Sequence, residues 1–232
     1  MALRTVELLD EAPSSGYPYG LAAVRALPLE LTRPVAILVG DNGSGKSTLI
    51  EAIAVAAGFN PEGGSGQVRF ETEASHSTLA NHLRLTWGSR LQPGWFLRAE
   101  TFYNVATFRD RSAGFNPLPS YHEISHGESF LTVAAEWFNS PKLFVLDEPE
   151  AALSFWGQLA LMAAIAEGVK AGAQFIFATH SPILMATPDA EILELSSSGL
   201  ETTSYDDLEI VGLWRSFLEA PQRFLRYLDD ET

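Results

Sequence analysis

The sequence predicts a single α/β domain with a mainly parallel sheet flanked by helices, on three observations. Short apolar runs rich in β-branched residues alternate with segments of helical period, glycine-rich and polar strings follow those runs directly, and 232 residues at 46% hydrophobic content suffice for a full core. The first run, PVAILV from Pro34 to Val39, has the unbroken apolar character of a strand buried on both faces of a parallel sheet. From Lys46 to Ala57, Leu49, Ile50, Ile53, Ala54 and Ala57 recur at the spacing of a helix with one buried face. Residues 58–66, GFNPEGGSG, predict a loop, and QVRFE and GWFLRAE predict strands on either side of a more polar stretch. Two further apolar strands are expected at Leu143 to Leu146 and Gln174 to Ala178, with a helix from Ala151 to Lys170 between them. Within 205–232, Leu213, Trp214, Phe217, Leu218, Phe224, Leu225 and Leu228 predict two amphipathic helices broken at Pro221, whose apolar face is expected to pack on the core, with a docking face as the less favoured alternative.

Strands that alternate with helices require right-handed crossovers, and in such sheets ligands bind outside the carboxyl ends of the strands. The strings with chemical content all fall at that edge. Gly40 to Ser47 reads GDNGSGKS, a full match to the P-loop pattern. Its glycines let backbone N–H groups from Asn42, Gly43, Ser44 and Gly45 turn inward around phosphate oxygens. Lys46 would neutralise the β- and γ-phosphates, Ser47 would place its hydroxyl on Mg²⁺, and Thr48 lies in the first turn of a helix whose positive end faces the same anion. Together these groups fit the phosphates of a nucleotide with its Mg²⁺.

LFVLDEPE, Leu143 to Glu150, puts Asp147 at the end of a buried strand, where a carboxylate reaches Mg²⁺ directly or through its water shell. Glu148 would orient, and accept a proton from, the water that attacks the γ-phosphate. On its own the Asp–Glu pair could equally cap a helix starting at Ala151. His180, in THSP after the strand QFIFA, is expected to hydrogen-bond the γ-phosphate.

The net charge of −14, from 29 acidic and 15 basic residues, argues against a protein that coats nucleic acid non-specifically. Arg84, Arg90, Arg98, Arg109 and Arg111 leave room for a local basic patch. The absence of cysteine excludes disulfides and thiolate metal sites, and no apolar stretch is long enough to span a bilayer. The first residues, MALRTVELLDEAPSS, do not resemble an export signal, so a cytoplasmic location is expected.

GDNGSGKS, ISHGES, LFVLDEPE and THSP, in that order, resemble the Walker A, signature, Walker B and switch-histidine motifs of ATP-binding-cassette (ABC) ATPases. Across nearly the whole chain, including GFNPEGG, FLRAETFYNVATF and SHGESF, the sequence is similar to small bacterial ATPases often labelled AAA-family ATPases. It is distantly similar to the heads of chromosome-maintenance and recombination-repair ATPases and to transporter ATP-binding subunits. The resemblance implies a P-loop NTPase of ABC type, with Ser125, Gly127 and Glu128 reaching across a nucleotide-dependent homodimer to the γ-phosphate bound by the other copy. It also implies a protein partner driven or switched by the dimer.

Several positions depart from the family pattern. Glu100 stands at the Q-loop glutamine position, where it would contact Mg²⁺ or water, Ser154 stands at the D-loop aspartate position, and Tyr17 and Tyr19 are the candidates for stacking on adenine. Only residues 101–124 separate Glu100 from Ser125, which implies a reduced helical subdomain, a short lobe in place of a transporter-docking module or a coiled coil. The expected activity is Mg-dependent ATP hydrolysis. The alternatives are a nucleic-acid-associated clamp in DNA repair or phage defence and, less favoured, the energy subunit of a transporter.

Overall fold

The computed structural model describes residues 2–61, 63–65, 78–98, 134, 137–196 and 199–229. Glu100, Ser125, Gly127, Glu128, Arg109, Arg111, the strand expected at QVRFE and the lobe 101–124 lie outside the described residues.

The strands, in chain order, are β1 (Leu3–Leu8), β2 (Leu29–Glu30), β3 (Val35–Gly40), β4 (Gly64–Ser65), β5 (Leu83–Trp87), β6 (Gln92–Arg98), β7 (Lys142–Asp147), β8 (Gln174–Ala178), β9 (Glu191–Ser196) and β10 (Gly199–Thr203). The helices are α1 (Ala22–Arg25), α2 (Lys46–Ala56), α3 (Phe155–Lys170), α4 (Pro182–Met185), α5 (Glu209–Glu219) and α6 (Gln222–Asp229). They build a seven-stranded sheet in the order β10-β9-β3-β8-β7-β6-β4 and a three-stranded antiparallel sheet, β2-β1-β5. In the larger sheet β9, β3, β8, β7 and β6 are parallel, and the two edge strands are antiparallel to their neighbours.

The continuous apolar runs are explained by cover on both faces of this sheet. On one face Ala36, Leu38, Val145 and Ile176 join α2 and the smaller sheet in a first core; on the other Ile37, Phe144, Leu146, Phe175 and Phe177 join α3, α4 and the start of α5 in a second. The two sheets are pinned together by the buried Gln174 amide, which accepts from Leu3 N at 2.8 Å and donates to Leu3 O at 2.9 Å. A Cβ on Gly168 would come within 2.8 Å of the Phe175 ring, so glycine lets α3 sit this close to the sheet.

Two expectations are corrected. The helix predicted from Ala151 begins at Phe155, because Pro149–Ala152 forms a 3₁₀ turn and Ser154 restarts the chain as an N-cap, accepting from Gly157 N at 3.2 Å. The C-terminal helices form on either side of Pro221 as predicted, but most of their apolar face is not core. Leu208 and Val211 are buried, whereas Leu213, Trp214, Leu218 and Leu225 are exposed. An amphipathic pattern establishes that a helix has an apolar face, and here only the first turn of α5 joins the second core.

Candidate functional site

β3, β8 and β7 are adjacent and parallel, so Gly40, the Thr179–His180 string and Asp147–Glu148 emerge side by side at one edge of the sheet. A cleft of about 280 Å³ opens there. Asn42, Gly43, Gly45, Lys46, Ser47 and Thr48 line it from the loop, Glu148 and His180 from the strand ends, and Tyr17 and Leu21 from the N-terminal segment. Ser44 stays outside these walls; its hydroxyl donates to Asp41 O at 2.8 Å and its carbonyl accepts from Ala23 N at 3.0 Å, which fastens the loop to α1.

Glycine is required at both ends of the loop. Gly40, at φ +152°, passes so close to β9 that a Cβ would lie 2.5 Å from Leu195 O, and Gly45 caps α2 at φ +97° with a would-be Cβ 2.9 Å from Leu21 Cβ. Lys46 is buried, and its ammonium donates to Gly40 O at 2.7 Å and Asp41 O at 2.8 Å. Burial pushes its pKa below the usual lysine value, against the opposing pull of Glu148, Asp41, Asp147 and Glu150. A cation short of solvent gains from any further anion oxygen that reaches it, and the carboxylates around it require that an incoming polyanion bring a counter-cation.

Glu148 is one of two non-glycine residues with positive φ among the described residues, at φ 46° and ψ 53°. Its N–H donates to Ala178 O at 3.0 Å and its carbonyl accepts from Ala151 N at 3.2 Å, so the bonds on either side hold the left-handed conformation. Its side chain makes no helix-capping hydrogen bond, so Glu148 does not serve as a side-chain cap. The carboxylate instead faces the cleft, with Oε1 3.8 Å from His180 Nε2. Glu150, which the sequence did not single out, accepts from His180 N at 2.6 Å and ties this turn to the histidine's backbone.

The donors present suit Mg²⁺. A hard cation of that size takes oxygen ligands, keeps several waters and relies on substrate phosphates rather than on a closed protein cage. Ser47 supplies a hydroxyl on the cleft wall and Asp147 a largely buried carboxylate at the end of β7. Among the described residues no group of three His, Cys, Asp or Glu side chains could hold an ion unaided.

The two tyrosines separate cleanly. Tyr17 is 76% exposed beside the loop, whereas Tyr19 is buried with its hydroxyl 2.7 Å from His82 Nδ1 and 3.1 Å from Thr78 Oγ1. Tyr19 is therefore a packing residue, and Tyr17 alone stands at the cleft. Of the arginines in the candidate basic patch, Arg84 pairs with Glu7 at 3.9 Å on the smaller sheet and Arg98 pairs with Glu51 at 3.1 Å on the larger, while Arg109 and Arg111 lie outside the described residues.

Known proteins resemble this chain in sequence and fold. A family model described as an AAA domain matches residues 20–90. The cytochrome c biogenesis ATP-binding export protein CcmA of Escherichia coli (strain UTI89 / UPEC) is 26% identical, with 70% of this chain and 83% of that protein covered. CcmA of Salmonella typhi is 27% identical over the same shares. Among solved structures, the SMC head domain from Thermotoga maritima is similar at a TM-score of 0.51 and 18% identity, over 88% of this chain and 99% of that one. An inward-facing metal-chelate type ABC transporter is similar at 0.50 and 18%, over 89% and 84%. The resemblance to ABC-type ATPases that the motifs carry is borne out, and the fold is that of a P-loop NTPase.

Proposed function

We propose that this chain, similar to ABC-type ATPases, binds Mg·ATP and hydrolyses it, two copies closing around two nucleotides so that closure and reopening drive or switch a partner protein. One observation carries the reading: the ends of three neighbouring strands deliver the Gly40–Ser47 loop, Glu148 and His180 to one cleft. N–H groups of the loop, the Lys46 ammonium and the positive end of α2 hold the β- and γ-phosphates. Ser47 and Asp147 would hold Mg²⁺, and Glu100 is a further candidate ligand beyond the described residues. The metal, when bound, draws charge from the phosphate oxygens. Glu148 takes a proton from water as the water oxygen bonds to the γ-phosphorus. The bond from that phosphorus to the β–γ bridging oxygen breaks, and ADP and phosphate leave. His180 hydrogen-bonds a γ-phosphate oxygen, and its position is set by the Glu150 carboxylate.

In this reading residues 1–232 form one ATPase domain, 101–124 form a short lobe, and Ser125, Gly127 and Glu128 complete the other copy's site. Light scattering on Glu148→Gln, which retains nucleotide but not the base, should report a monomer alone and a dimer with Mg·ATP. A variant that binds ATP and stays monomeric would overturn the homodimer. The curated relatives' names favour a second reading, a transporter's energy subunit; a membrane protein that co-purifies with Glu148→Gln in Mg·ATP would decide for it.

A further inference from the structure

The strand ends beside the cleft also bring together three charges that the proposed chemistry leaves unused or only partly used. β6 and β7 are parallel and in register, with Arg98 beside Asp147. The Arg98 guanidinium donates through Nη1 to Glu51 Oε2 at 3.1 Å, and its Nε lies 3.8 Å from Asp147 Oδ2. Glu51 is one helical turn beyond Ser47 on α2, on the same side of the helix. One guanidinium thus links the helix that bears the candidate magnesium hydroxyl to the strand that bears the candidate magnesium carboxylate. The contact is not a loose surface pair: the side chains of Arg98, Glu51 and Asp147 are 25%, 18% and 8% exposed. The guanidinium carbon also sits 6.0 Å from the centre of the Phe96 ring, which limits where it can go.

We propose that Arg98 is a positioning residue that sets the magnesium threshold of the site. In the nucleotide-free state it acts as the internal counter-ion of Asp147. It yields that carboxylate when phosphates bring the metal in, and it stays anchored on Glu51. The inference rests on the reading of the cleft as a Mg·ATP site. Its physical basis is charge balance. Glu51 and Asp147 carry two negative charges, Arg98 offsets one, and the same positive charge repels a dication approaching the shared carboxylate. Divalent metal without nucleotide is thereby disfavoured, and metal with nucleotide is accepted because the phosphates supply the missing negative charge.

The test measures metal binding directly rather than turnover. Mn²⁺ is titrated into protein saturated with ADP, and free ion is followed by electron paramagnetic resonance, for wild type, Arg98→Met, Arg98→Lys and Glu51→Gln. Removing one charge about 6 Å from a dication should lower the Mn²⁺ midpoint of Arg98→Met by about tenfold even at the dielectric of bulk water, and by more where the site is drier. Arg98→Lys, which keeps the charge, should return the midpoint toward wild type. Glu51→Gln releases Arg98 onto Asp147 and should raise the midpoint severalfold, which provides a second reading should Arg98→Met fail to fold. An Arg98→Met midpoint equal to or above that of wild type, with wild type binding Mn·ADP normally, would overturn this inference and leave the nucleotide site intact. Wild type that binds no Mn·ADP would overturn both.

Discussion

Replacing Glu148 by glycine should stabilise the nucleotide-free protein relative to Glu148→Ala while both variants lose hydrolysis. Glu148 sits at φ 46° and ψ 53°, where a Cβ crowds the following carbonyl oxygen at a cost of about 1–2 kcal/mol. The next residue is Pro149, whose ring further restricts the backbone before it. Alanine retains that strain and glycine does not, so the difference between the two variants isolates it. Against the relief stands the larger conformational entropy of glycine in the unfolded chain, about 0.4–1 kcal/mol. The net advantage of Glu148→Gly is therefore about 0.5–1 kcal/mol. In a chain of this length that corresponds to a rise in melting temperature of about 1–4 °C. Loss of the carboxylate itself should matter little to folding, because the side chain is 46% exposed and the His180 imidazole beside it is 3.8 Å away. The assay is thermal denaturation without nucleotide, since a ligand that binds only the folded state would mask the difference. Hydrolysis, measured in parallel, should fall by about a hundredfold to ten-thousandfold in both variants. A Glu148→Gly protein no more stable than Glu148→Ala would refute the claim that this conformation is strained and kept for the chemistry.

Two further predictions concern nucleotide binding. Because burial lowers the Lys46 pKa from 10.5 and phosphate favours the charged form, ATP affinity should be flat below the lowered value. Above it the affinity should fall by up to about tenfold per pH unit. The sign reverses for folding. The charged lysine costs the folded state most below its own pKa, so nucleotide-free stability should rise between that value and 10.5, and calorimetry of wild type against Lys46→Gln checks both trends. Tyr17→Ala should weaken ATP binding by about 1–2 kcal/mol through lost base stacking, with little effect on stability, while Tyr19→Phe should leave ATP binding unchanged and cost about 1 kcal/mol of stability. Fluorescence titration and thermal melts distinguish these outcomes, and a Tyr17→Ala protein with wild-type affinity would remove Tyr17 from the site.

How far the sequence could be read follows from what covers each element. β3, β7 and β8 were legible because both their faces are buried, which forces unbroken apolar runs, and the loop GDNGSGKS was legible because its pattern specifies the residue type at several fixed positions. β1, β5, β9 and β10 went unread because their strings LRTVEL, LRLTW, EILELS and GLETT mix polar with apolar residues. β9 also opens on the buried Glu191, a residue that argues against a core strand until its partners are known. It accepts from Thr32 N at 2.9 and 3.1 Å and from the Thr32 hydroxyl, contacts made across more than a hundred residues of chain.

The same limit applied to Arg98. By spacing it belonged with Arg84 and Arg90 in a candidate basic patch, and nothing in FLRAE indicates Asp147 or Glu51 as neighbours. Its surroundings depend on β6 pairing with β7 in one register, so that the last residues of both strands meet at the ligand edge. A motif reports the groups that contact phosphate because their spacing along the chain is fixed by the loop that carries them. The groups that tune those contacts come from other strands, and sheet order alone brings them into place. Glu150 lies between these cases: it is within the Walker B string, yet its role became readable only when β8 placed the His180 N–H within its reach. Exchange of Glu150 and Arg98 should therefore alter how the site responds to metal and γ-phosphate rather than whether it binds nucleotide. A P-loop variant such as Lys46→Gln should weaken binding itself.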